Sequence, residues 1–278
     1  MEKIKIQKNT VQETLIIPLY ARKLCTELFP ELFRDEAAVE LMDRLDYDFS
    51  KVEKQSKSTM HIFGALEVAM RQNDLAWEVR EYLKEHPKAA VVNLGCGLDQ
   101  TGRNCDNGTC RIYNLDFPEV IEIRNELLPP KEREINLATD LNDLSWFDQI
   151  DASDGVIFFA AGVFYYFQRE AAKRLIIVMA KHFRGGRLVF DSCGKTGVRM
   201  MLKTWIKQAE IKDVGAYFYI NDLRELDDWE GIRASSRGYM LGYYSLDGEN
   251  IKTIYRLLAK LGDGPIGMKI VRLEFTGL

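Results

Sequence analysis

The sequence is poor in the residues that most often carry metal and acid–base chemistry. Histidine occurs three times in 278 residues, as His61, His86 and His182. The five cysteines, Cys25, Cys96, Cys105, Cys110 and Cys193, form an odd, scattered set without a CxxC pair. Paired spacing is the mark of zinc sites and disulfide frameworks, so no metal is expected and the thiols read as reduced. Basic excess is missing too: 38 Lys and Arg stand against 42 Asp and Glu, a net charge of -4. No global field would then draw the chain to nucleic acid or to an anionic membrane, although a local basic pocket is not excluded. The opening "MEKIKIQKNTVQETLIIPLYARK" has no apolar run long enough for a signal-peptide core or a membrane span, so the expected location is cytoplasmic. Internal repeats and low-complexity segments are also lacking.

What the chain has is core-forming material. With 46% apolar and 29% charged residues it can bury one large core, and one enzyme-sized domain over 1–278 is expected. Up to residue 87 the spacing is helical: "AAVELMDRLDYDF" and "HIFGALEVAMRQNDLAWEVREYLKEH" repeat apolar residues three or four apart, and Pro87 stops the second. The period then changes. "AAVVNLG", "CRIYNLD", "REINLAT", "DGVIFFAA" and "GRLVFDSC" are short apolar runs bounded by turn residues, separated by helix-like segments such as Pro118–Leu127 and Arg169–Phe183. Strands alternating with helices predict an α/β fold with a parallel sheet, here preceded by a helical section over 1–87. In the last third, "TWIKQAEIKDVGAYFYINDLRELDDWEG" reads as helix, strand and short helix, "RGYMLGYYS" as strand or loop, "IKTIYRLLAKLG" as helix and "MKIVRLEFT" as strand.

One further absence is informative. In "VVNLGCGLDQTG", Gly95 and Gly97 follow a predicted strand, and Asp116 ends the next predicted strand. Glycines at a strand-to-helix turn let backbone approach a ligand, and an acid at the end of the second strand accepts from ribose hydroxyls. The third glycine of a dinucleotide site, which packs the helix beneath a pyrophosphate, is replaced by Gln100, and Gly102 falls two residues late. A ligand with a ribose and no pyrophosphate does not need it. S-adenosylmethionine is therefore favoured over NAD, and Cys96 reads as a small buried residue of the turn.

"VVNLGCGLD", "YNLDFPEVIEIRNELLP", "DLNDLSWFDQI" and the early "PLYARKLCTELFPELFRDEAAVELMDRLDYDF" together resemble the leucine carboxyl methyltransferase family, and within it the branch typified by the tetracenomycin polyketide O-methyltransferase. The likeness runs in order along almost the whole chain and weakens after about Trp229. It implies a Rossmann-like, seven-stranded, S-adenosylmethionine-dependent methyltransferase fold with an N-terminal helical lid. By position it implies Gly95 and Gly97 against the methionine part of the cofactor, Asp116 on the ribose and Phe117 beside the adenine. Asp140 and Leu141 match the adenine-pocket segment, and Arg71 matches the arginine that holds the methionine carboxylate. Tyr20 and Arg22, in "PLYARK", match a motif that closes over the same site. Bland readings stand beside these: Asp140 as a helix cap, Arg71 as a solvated helix charge. Ala161 stands where many relatives carry a glutamate, so any contact that carboxylate makes to cofactor or substrate is absent here.

Methyl transfer from a sulfonium is an in-line displacement, in which positioning and dryness do most of the work. A carboxylate acceptor is already anionic at pH 7, whereas a phenol with a pKa of about 10 benefits from a base. Among the histidines only His61, in the helical section, is a candidate base, and this scarcity tilts the expectation toward a carboxylate. The acceptor is expected to be a small molecule of polyketide type. Tyr165 and Tyr166, from "FFAAGVFYYF", and Arg237 and Tyr243, from "IRASSRGYMLGYY", are candidates for its pocket, although core packing and solvated charge explain them as well. Three other functions stay open at this stage: a methyltransferase for a protein's C-terminal leucine carboxylate, an NAD-dependent oxidoreductase, and a non-catalytic S-adenosylmethionine-binding protein.

Overall fold

The structure, a computed structural model, describes residues 3–7, 10–201, 217–248 and 250–277. The N-terminal section runs β1 (Ile4–Lys5), a 3-10 turn (Val11–Leu15), α1 (Ile16–Leu28), α2 (Glu36–Asp43), β2 (Leu45–Asp46), α3 (Ser50–Gln55) and α4 (Thr59–Glu85). Local chemistry sets its boundaries. Asp35 caps α2 by accepting from the Ala38 N–H at 3.0 Å, and Ser58 caps α4 by accepting from the His61 N–H at 3.3 Å. Pro87 lies just beyond the C-terminal end of α4.

From there strand and helix alternate: β3 (Ala90–Leu94), α5 (Thr101–Asn104), β4 (Arg111–Asp116), α6 (Pro118–Leu127), β5 (Glu134–Ala138), β6 (Val156–Ala160), α7 (Arg169–His182), β7 (Arg187–Ser192) and α8 (Lys195–Met201). The chain closes with β8 (Ile232–Arg237), α9 (Thr253–Leu261) and β9 (Lys269–Phe275). One seven-stranded sheet results, in the order β5-β4-β3-β6-β7-β9-β8. The strands from β3 to β7 pair in parallel, while β9 runs antiparallel between β7 and β8. The strand order reverses at β3, whose neighbours are β4 and β6. In open sheets of this kind the loops at such a switch point diverge and leave a crevice beyond the strand ends.

The strands are buried on both faces, which is why they read as continuous apolar runs rather than alternating ones. Val92, Leu94, Phe158, Ala160, Leu188 and Phe190 pack toward α7 and Trp146 on one face. Val91, Ile112, Ile157, Phe159 and Val189 pack toward α4 on the other. The lid section therefore divides. Its last helix is a layer of the core, fixed there by the Tyr82 hydroxyl, which accepts from the Val156 N–H at 3.1 Å. The covering part is the 3-10 turn with α1 and α2, whose Leu15, Ile16, Leu19, Tyr20, Leu41 and Met42 pack on Leu98 and on Val120, Ile123 and Leu127.

In the last third, "RGYMLGYYS", read as strand or loop, is loop: β8 ends where that stretch begins, at Arg237, and Tyr239–Tyr244 form turns against α4. The helix expected over "TWIKQAEIKD" lies outside the described residues. The Tyr217 and Phe218 N–H groups, expected in a strand, instead donate to the Tyr165 carbonyl at 2.7 and 3.2 Å. Among the described residues no helix is long and apolar enough to cross a membrane.

Paired charges fasten these turns to α4. Asp74, whose side chain is 0% exposed, pairs with Arg237, which is 32% exposed. Glu78 pairs with Arg272, its Oε2 accepting from Nε at 2.9 Å. Removing one partner of a buried pair strands the other charge. R237A is expected to cost about 3 kcal/mol, toward the low end for such pairs because water reaches the arginine end. Urea unfolding of the variant beside the parent protein checks this, and a loss under about 0.5 kcal/mol would show Asp74 solvated or protonated in the folded state.

Candidate active site

At the switch point the chain leaves β3 through Gly95 and Gly97, with φ of 62° and 46°. Only residues without a Cβ adopt this region freely, and at Gly95 a Cβ would also stand 2.6 Å from the Val163 side chain. The loop is held by acceptors and donors on both sides. The Gly97 N–H donates to Asp116 Oδ2 at 2.7 Å, and the Phe117 N–H donates to Asp116 Oδ1 at 2.8 Å. Burial pushes the Asp116 carboxyl up, and these two amides offset part of that shift. Arg124, 1% exposed, donates from one nitrogen to the Gly97 and Asp99 carbonyls at 2.8 and 2.7 Å. Asp99 accepts from Asn93 at 3.0 Å, from the Thr101 N–H and hydroxyl at 2.9 and 2.8 Å, and from Gln72 of α4.

These elements surround a cavity of about 370 Å3. That lies within the range of small-molecule sites, about 300–1,000 Å3. Of the residues singled out from the sequence, Arg22, Arg71, Gly95, Gly97, Asp116, Phe117, Ala161 and Tyr166 line it together. Arg71 reaches in from α4, donating to Asp191 Oδ2 at 2.9 Å, while its buried Nε has no partner. Arg22 ties the lid down: Nε lies 2.8 Å from Asp35, and another nitrogen donates to the Leu98 carbonyl at 2.9 Å.

The other candidates lie elsewhere. Tyr20 is 8% exposed within the apolar contact between lid and α6. Leu141 packs in the core, its carbonyl accepting from the Trp146 indole at 3.3 Å. Asp140 is exposed and accepts from the Asn142 N–H at 2.9 Å, while the cap of the following 3-10 turn is Asp143. Its turn adjoins the site through the Thr139 N–H, which donates to the Asp116 carbonyl at 2.8 Å. Tyr165 is 5% exposed and belongs to the core, so from "FYYF" only Tyr166 reaches the cavity. Arg237 and Tyr243 do not line it either, because the ion pair with Asp74 and a ring stack on Trp77 hold them against α4. His61 sits in the first turn of α4 with Nδ1 2.8 Å from the Ser58 hydroxyl, outside the cavity wall.

Sequence reasoning missed Asp191, the acid that ends β7. Besides Arg71 it receives the Gly162 N–H at 2.6 Å on Oδ1. The signal was present, since the apolar run of "GRLVFDSC" is followed by an acid as that of "CRIYNLD" is. Gln72, Asn93 and Asp99 were missed as well, because buried polar partners brought together by folding have no local pattern. The missing third glycine also acquires a structural meaning. Gly102 performs the packing, since a Cβ there would meet Ile112 Cγ2 at 3.0 Å. The helix that follows the loop, α5, is four residues long. A single turn presents little helix dipole for a pyrophosphate.

Comparison with known proteins agrees with this geometry. Residues 14–180 match the leucine carboxyl methyltransferase family. The chain belongs to that family. It is accordingly an S-adenosylmethionine-dependent methyltransferase, and the NAD reading is not favoured. It is 29% identical over 188 residues to the tetracenomycin polyketide synthesis O-methyltransferase TcmP of Streptomyces glaucescens, covering 67% of each chain. It is 25% identical over 264 residues to the S-adenosyl-L-methionine-dependent methyltransferase dpfgK of Gibberella zeae, covering 88% of this chain and 87% of the relative. Among solved structures it shares its fold with the magnesium protoporphyrin IX methyltransferase of Synechocystis PCC 6803, at a TM-score of 0.50 and 14% identity over 87% of this chain and all of that one.

The Gly95 contact gives a direct test of how tightly the loop is built. G95A is expected to lose more stability than G108A, since Gly108 also has a positive φ, 86°, but nothing within 4 Å of a Cβ. The control should lose about 1 kcal/mol from backbone strain, and G95A a further 1–2 kcal/mol or so for displacing Val163. Equal unfolding midpoints for the two variants would show that Val163 yields without cost.

Proposed function

We propose that this methyltransferase acts on an oxygen of a small-molecule acceptor, a carboxylate or a hydroxyl, of polyketide-like type. The reading rests most heavily on one observation: Asp116, Gly97 and Arg71 come from three distant segments and converge on one cavity. S-adenosylmethionine, when bound, supplies a methyl carbon activated by its sulfonium. The chain's own residues fit that ligand. Arg71 offers a cation with a buried, unpartnered Nε to the amino-acid carboxylate. The bent loop at Gly95 and Gly97 brings backbone close without a Cβ in the way. Asp116 keeps lone pairs for ribose hydroxyls after accepting its two amides. Phe117, 38% exposed in the wall, is placed to cover an aromatic base. The Asp140–Leu141 turn borders that end.

Two more features support a small acceptor. The lid section, through Thr14, Leu15, Pro18 and Arg22, closes one side of the cavity and excludes water. Tyr166 and Tyr217, 44% and 48% exposed, present two rings to the same space. The acceptor then meets the methyl group with little further organisation needed, and the rate follows from positioning. The net charge of -4 supports a cytoplasmic protein whose partner is a small molecule rather than nucleic acid or a membrane surface.

Thermal unfolding with S-adenosylmethionine, S-adenosylhomocysteine or NAD tests the cofactor assignment. A ligand at about a hundredfold its Kd adds roughly 2.7 kcal/mol and should raise Tm by several degrees. A shift with the two adenosyl ligands alone is expected, and a shift with NAD alone would defeat the assignment. D116A is expected to weaken S-adenosylhomocysteine binding by roughly 1.5–3 kcal/mol, the scale of hydrogen bonds to a charged group. Calorimetry showing equal affinity would remove Asp116 from the site.

A further inference from the structure

Helix α9 has an apolar face that none of the described residues covers. Its sequence, "TIYRLLAKL", seats Tyr255 and Ala259 in the core, with Leu258 half-buried beside them. Ile254, Leu257 and Leu261 point away from it, 43%, 53% and 43% exposed. Single exposed leucines are ordinary on a protein surface, but these three are spaced i, i+3 and i+7 and so form one row. Leu241, also exposed, stands near the C-terminal end of the helix, where its N–H donates to Asp263 Oδ2 at 2.9 Å.

The charges of this helix are all of one sign. Lys252, its N-cap, Arg256 and Lys260 follow one another at i, i+4 and i+8, and no acid lies between Thr253 and Leu261. At 3.6 residues per turn the basic row is turned about 130° from the apolar one, with the exposed Thr253 between them. Arg256 donates from Nε to the Leu246 carbonyl at 2.8 Å, and among the described residues none of the three basic groups has an ion-pair partner. The chain as a whole carries a net charge of -4, so this row departs from the rest of the molecule.

We propose that α9 is the docking site for an acidic amphipathic helix of a partner protein. Apolar side chains of the partner lie along Ile254, Leu257 and Leu261, and its carboxylates reach Lys252, Arg256 and Lys260. A second copy of the chain fits less well, because pairing two α9 helices antiparallel about a two-fold axis sets one basic row beside the other. A lipid surface fits less well too. Three aliphatic side chains bury less hydrocarbon than a single myristoyl chain, which by itself holds a protein to a membrane only marginally.

The docking face adjoins the active site without forming part of it. Helix α9 runs into the turn Gly262–Ile266, whose Ile266 carbonyl accepts from the Gly194 N–H at 3.0 Å, just past Asp191 at the end of β7. None of the residues of α9 lines the cavity. The partner therefore docks on the ligand side of the sheet, and the inference is independent of which acceptor the cavity takes.

The probe is a fluorescent, side-chain-cross-linked helix of about four turns, with leucines at i, i+3, i+7 and i+10 and glutamates at the other positions. Anisotropy titration on the intact protein should show saturable binding, and a counterpart with lysines in place of the glutamates should not bind. L257E and K252E should each weaken binding of the acidic helix about tenfold or more, and added salt should weaken it in the wild type. Both variants should keep the parent's unfolding midpoint, since the side chains they replace are exposed. No saturable binding of the acidic helix, equal binding of its basic counterpart, or binding indifferent to both substitutions would each overturn the proposal. So would a wild-type dimer in sedimentation that L257E splits, or pelleting with phosphatidylserine–phosphatidylcholine vesicles that L257E abolishes. Should L257E not fold, K252E and K260E decide in its place.

Discussion

The Asp191 carboxylate is the contact on which the site depends. Its two oxygens hold Arg71 of α4 and the Gly162 N–H of the loop after β6, so one acid at the end of β7 fixes three elements. Asp191 is 2% exposed, and a buried carboxylate persists only when its lone pairs are filled by well-placed donors. The arginine has the same need from the other side. Each ion makes the other tolerable, and the geometry that satisfies both also aims the guanidinium into the cavity. Positioning here is a by-product of charge satisfaction.

The loop after β3 is built on the same principle, with neutral partners doing much of the work. Its carbonyls at Gly97 and Asp99 face Arg124, its Gly97 amide faces Asp116, and Asp99 gathers donors from Gln72, Asn93 and Thr101. Nearly every polar group of a sharply bent segment is thereby spoken for, which makes the bend a single conformation rather than a set of them. Gln72 is the neighbour of Arg71 on α4, so the helix that supplies the cation also braces the loop. Lid and loop meet at Leu98, whose carbonyl takes Arg22 and whose side chain joins the lid core. Closure over the cavity is therefore part of the fold's apolar packing as well as its hydrogen bonding.

The fold was legible because its signals are local. Continuous apolar runs ending in turn residues gave five parallel strands, and the spacing of "HIFGALEVAMRQNDLAWEVREYLKEH" gave α4 nearly to its ends. The glycine pair and the acid of "YNLDF" were legible for the same reason, since turn geometry and strand-end position are written in short stretches. What was not legible depends on register between distant segments. Arg237 and Tyr243 looked like surface groups free to meet a substrate, yet Asp74 and Trp77 on α4 claim them. The sequence offers no sign of that claim, because partners 163 residues apart leave no periodic trace.

The same charge inventory bears on what the cavity holds and releases. Three arginines, Arg22, Arg71 and Arg124, stand in or beneath its wall with four aspartates, Asp35, Asp99, Asp116 and Asp191. The balance of these seven groups is one negative charge. A poorly hydrated wall of net charge -1 attracts a ligand with one net positive charge more strongly than a neutral one of the same shape. S-adenosylmethionine at neutral pH is such a cation, and the thioether left after transfer is neutral. Loss of that positive charge on transfer would remove part of the attraction that holds the ligand, whatever contacts the cavity makes to the rest of it. Discrimination between substrate and product then falls to field rather than to contacts, which is why a wall with paired arginines and one unmatched acid suits this reaction better than a strongly basic pocket would.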